Sequence, residues 1–101
     1  MASSDETKKD YALDFNALVL SLGSSAIVHL GEAPDPTSGQ KREQPDFTMA
    51  QQSIDLLGML QEKTRGNLTA EEARFLENML FDLRMLYVQV SKRTGAPDKK
   101  G

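Results

Sequence analysis

Imidazole and carboxylate side chains crowd together at one place in this sequence, Val28-His29-Leu30-Gly31-Glu32-Ala33-Pro34-Asp35. Two chemistries suit such a group: His29 acting as a general base, or as a metal ligand with Glu32 or Asp35 beside it. Neither is well supplied. The chain has one histidine, so a zinc or di-iron centre would need carboxylates for most of its ligands, and no Glu-x-x-His pair begins a di-iron site. A structural use is closer at hand, because a histidine at a helix end caps carbonyls and meets the negative end of the helix dipole favourably. That structural role is preferred. A ligand- or metal-binding protein or enzyme built on His29, Glu32 and Asp35 is kept as the alternative.

Other chemistries lack their residues. With no cysteine, a disulfide framework, a thiolate zinc site and a cysteine nucleophile are excluded together. Gly31, Gly39 and Gly66 do not make a phosphate-binding or dinucleotide spacing. Ser24-Ser25 falls inside a helix-like stretch, and no second histidine is there to activate it. Glu71 and Glu72 belong to a first helical turn, where the dipole favours negative charge. A net charge of −3 argues against nucleic acid as a partner. The end of the chain, Ser91 to Gly101, carries four basic residues against one acid but no aromatic to stack on a base, and reads as a solubilising tail. No catalytic, cofactor or metal residue is therefore assigned, and the expectation is a non-enzymatic protein.

The elements that would position these residues are helical. A hydrophobic fraction of 39% and a charged fraction of 27% are ordinary globular values. The polar start, Met1 to Asp10, has no secretory pattern. The most apolar stretch, Phe15 to Leu30, is short of the roughly 20 residues that cross a bilayer. A cytoplasmic protein without a membrane partner is expected. The spacing predicts an all-α domain over 14–92, with helices over about 15–30, 48–64 and 70–92 and a flexible loop over 31–47. Disordered tails are expected over 1–13 and 93–101. Asp14 or Asn16 would cap the first helix and Gly31 would stop it. Thr48 with Gln51, and Thr69 with Glu72, have the spacing of capping boxes. The short link Arg65 to Thr69 forces the second and third helices into an antiparallel hairpin.

At 100° per residue, Phe15, Leu18, Val19, Leu22, Ala26 and Leu30 share one face of the first helix. Ala50, Ile54, Leu57 and Leu60 do so on the second, with Leu56 at the edge. The third contributes Leu76, Met79, Leu80, Leu83, Leu86, Tyr87 and Val90. Apolar residues remain unused. Phe81, Met85 and Val88 follow i, i+4, i+7 spacing opposite the core face, and Leu20, Ile27 and Val28 lie off the stripe of the first helix, near the small residues Gly23 and Ser24. A helix apolar on two sides is normally covered on two sides. These six are the candidate interface of a homo-oligomer, with a heterologous protein partner as the other possibility.

Three segments carry a resemblance: Leu20-Ser21-Leu22 through Gly31-Glu32, Ile54-Asp55-Leu56-Leu57 through Lys63-Thr64, and Gly66-Asn67-Leu68-Thr69 through Ala73-Arg74. Together they resemble a bacterial family of short helical proteins, the domain of unknown function 1844, over roughly Phe15 to Val88. The resemblance implies an intracellular bacterial helical protein and supplies no activity, substrate or site residue. A third reading, an adaptor subunit of a larger bacterial assembly, stands beside self-association and ligand binding.

Overall fold

A computed structural model describes residues 14–95. They form three helices and no strand: α1 (Phe15–His29), α2 (Phe47–Lys63) and α3 (Ala70–Thr94). The all-α expectation holds, and α2 and α3 are the antiparallel hairpin that their short link requires. The N-terminal tail and residues 96–101 of the C-terminal one lie outside the described residues.

Each helix begins on a side chain that satisfies an orphan backbone N–H. Asp14 Oδ1 accepts from the Ala17 amide at 2.9 Å, so Asp14 rather than Asn16 is the first cap. At α3 both halves of the capping box are made: the Glu72 amide donates to Thr69 Oγ1 at 3.1 Å, and the Thr69 amide donates to Glu72 Oε1 at 2.9 Å. The second start differs from the expected Thr48–Gln51 box. Asp46 is the cap, accepting from the Met49 amide at 3.0 Å. Its own N–H is held by the His29 carbonyl at 2.7 Å. The end of α1 thus fixes where α2 starts.

Helix α1 stops at Gly31, whose φ of 80° suits glycine alone at low cost, and a Cβ there would also stand 3.3 Å from the Arg42 carbonyl. Helix α3 runs to Thr94, two residues beyond the expected end, and closes on Gly95 in the left-handed conformation. Arg93, expected in a disordered tail, is helical and pairs with Glu32.

Two apolar clusters fill the bundle. Val19, Ala26, Ile54, Leu57, Leu76, Leu80 and Leu83 form the larger, with Phe15, Leu22, Leu60 and Met79 packed around them. Leu30, Ala50 and Val90 form the smaller. That second cluster joins the C-terminal ends of α1 and α3 to the start of α2, where the Phe47 and Tyr87 rings meet edge to face at 5.3 Å. Helices α1 and α3 therefore run in the same direction, each against α2. Leu18 departs from the expected core, being 46% exposed. It sits about 100° from Val19 on the helix wheel, outside the arc that two neighbouring helices cover.

Candidate interaction surface

The Glu32 and Asp35 carboxylates are engaged by the fold, and His29 is engaged through its backbone carbonyl. His29 ends α1, and its carbonyl takes the Asp46 N–H. The Glu32 carboxylate binds the Arg93 guanidinium, tying the loop after α1 to the last turn of α3. Asp35 braces its own loop: its carboxylate accepts from the Thr37 amide at 2.7 Å, its carbonyl from the Gly39 amide, and its amide donates to the Gln40 carbonyl. The Thr37 amide holds the Asp35 carboxyl below its usual value, opposed next by desolvation and aided by the Thr37 hydroxyl, the Ser38 amide and the nearby His29. Among the described residues, no three such side chains are grouped to hold a metal ion. In the cluster of imidazole and carboxylate, His29 ends a helix near Asp35, Glu32 makes a cross-link and Asp35 braces a turn.

The apolar remainder is divided by the fold. Phe81, Met85 and Val88 stand on the outer face of α3, exposed to 63%, 45% and 47%. They share a groove of about 450 Å³ with Gln61, Glu77 and Arg84, with Leu80 at its floor. Leu20 is exposed on α1. Ile27 and Val28 differ from the expectation of free apolar positions: Ile27 packs on the main core cluster, and Val28 is half-buried. Ile27 lies about 80° from Val19 around α1, near enough to the buried arc to reach the core.

Gly23 is buried in α1 because α3 comes close there. A Cβ on Gly23 would lie 2.5 Å from Met79 Sδ, well inside van der Waals contact. The small residues of α1 therefore serve the inside of the bundle. Sequence reasoning missed one surface: Met49, Leu56 and Met59 are all exposed on α2. Their i, i+7, i+10 spacing opposite Ile54 was the available signal.

No helix among the described residues is long and apolar enough to cross a membrane. Residues 12–89 match the family profile described as Domain of unknown function (DUF1844). No curated protein and no solved structure matches the chain.

Proposed function

We propose, for a chain that belongs to the DUF1844 family, that it works as a helical interaction module and associates with itself through the outer face of α3. One observation carries the reading: Phe81, Met85 and Val88 are exposed together on one face, while the same helix buries Leu76, Leu80, Leu83 and Val90 on the other. Burying apolar surface is worth about 25 cal/mol per Å², so a face of this composition gains by being covered. Leu20 and the half-buried Val28 are outlying contributors; Ile27 belongs to the bundle.

The test is solution mass by light scattering over a hundredfold concentration range. The unaltered chain is expected as a dimer or larger species, and Phe81→Glu with Val88→Glu as a folded monomer. Unchanged mass and melting temperature in that double variant would remove these residues from the interface. A second reading has its own observation. The Met49, Leu56 and Met59 face of α2 is also open, and flexible methionines suit adaptable protein contacts. It supports a heterologous partner in a larger assembly, to be sought by pull-down with Met59→Glu as the control.

A further inference from the structure

The outer face of α3 repeats in sevens. Arg74, Phe81 and Val88 fall at one heptad position and Asn78, Met85 and Lys92 at another, with Glu77 and Arg84 beside them. A stripe with a 3.5-residue period is the seam along which two helices wind on each other. Three apolar side chains cannot alone fill the roughly 800 Å² per partner of a stable complex. The charged residues at the ends of the stripe must therefore be covered as well, and they decide how a second helix lies.

Two-fold pairing allows two orientations. Laid parallel, each residue meets its own copy, which sets Arg74 against Arg74, Glu77 against Glu77 and Lys92 against Lys92. Like charges placed so oppose association. Laid antiparallel, residues equidistant from the midpoint between Arg84 and Met85 come together. Phe81 then meets the partner's Val88, and Glu77 meets the partner's Lys92, each contact made twice. Neither Glu77 nor Lys92 holds an ion pair among the described residues. Arg84, near the midpoint, is directed toward α2: its Nη2 lies 3.7 Å from where a Cβ on Gly58 would be. It leaves the axis to Met85.

Resting on the self-association reading above, we propose that the occupant of this face is a second copy of the chain, antiparallel across α3 about a two-fold axis between Arg84 and Met85, with Glu77 and Lys92 of opposite copies paired at its ends. The absence of cysteine makes the test direct, because each engineered thiol reports alone. With a short bismaleimide cross-linker, Met85→Cys should link to its own copy. Glu77→Cys alone and Lys92→Cys alone should not, since self-contacts lie on the order of 20 Å apart at 1.5 Å per residue. A mixture of the two single variants should link. In parallel, Glu77→Lys should raise the dimer Kd about tenfold, the effect counting twice by symmetry, and Glu77→Lys with Lys92→Glu should restore it. Self-linking of Glu77→Cys would overturn the antiparallel arrangement. A dimer by mass whose Met85→Cys form does not link would place the interface elsewhere. A monomer at every concentration would instead refute self-association itself.

Discussion

Two glycines lie inside helices, and they should respond to alanine with opposite signs. A mid-helix glycine costs about 1 kcal/mol relative to alanine. At Gly58 nothing opposes that gain, because the nearest atom to an added Cβ is Arg84 Nη2 at 3.7 Å, an ordinary contact. Gly58→Ala should stabilise by about 0.5–1 kcal/mol, or several degrees in Tm for a domain of this size. At Gly23 the new Cβ would stand 2.5, 3.1 and 3.2 Å from Met79 Sδ, Cε and Cγ. Swinging the thioether end aside relieves the Sδ contact, but the Cγ contact at 3.2 Å still requires the packed Met79 to give by a few tenths of an ångström. Such overpacking costs about 1–3 kcal/mol, and Gly23→Ala should lose about 1 kcal/mol after the propensity gain. Urea unfolding by circular dichroism, at one fixed protein concentration because association feeds stability, measures both. In a double-mutant cycle with Met79→Ala, which removes the overpacking, the pair should be more stable than the sum of the singles by about 2 kcal/mol. Gly23→Ala as stabilising as Gly58→Ala, or an additive cycle, would refute the close approach of α1 and α3 at this point.

Asp46→Ala should cost about 1 kcal/mol in urea unfolding, whereas Thr48→Ala should stay within about 0.5 kcal/mol. Leu83→Ala, fully buried, should lose about 2–5 kcal/mol by the same measurement, against about 0.5 kcal/mol or less for Leu18→Ala. The Asp35 carboxyl is held below its ordinary value in the folded loop. Its contribution is therefore present above the ordinary carboxylate pKa of about 3.9 and is lost as pH falls through the lower folded value. Amide signals of Thr37 and Gly39 should move on acidification below that range in the native chain and stay fixed in Asp35→Asn.

Most of the bundle was legible because it is local. Thr69 and Glu72 announce the start of α3 within one turn, and Leu76, Leu80 and Leu83 keep helical register with nothing longer-range to disturb it. What was misread depends on partners distant in the chain. Asp46 displaces Thr48 as a cap because the His29 carbonyl anchors its N–H. Arg93 continues α3 where Glu32 receives it. Ile27 and Leu18 exchange their expected roles because which flank of α1 is covered depends on where α2 and α3 lie, and one helix wheel does not carry that. At the candidate interface, the Phe81, Met85 and Val88 stripe was visible in its spacing. Met49 and Met59 were overlooked since methionine marks a face weakly, and Leu56, read as the edge of the buried stripe, is exposed.

The bond between the His29 carbonyl and the Asp46 amide has a bearing on how the chain tolerates change. It brings the two ends of residues 30–45 to within one hydrogen bond of each other, so the segment leaves the bundle and returns at nearly the same point. Closing such a loop costs only about 0.6 kcal/mol more for each doubling of its length. Gly39, at its tip and with no atom within 4 Å of an added Cβ, is thus a splice point. A fluorescent reporter or a guest domain with adjacent termini can be set there while α1 and α2 keep their junction.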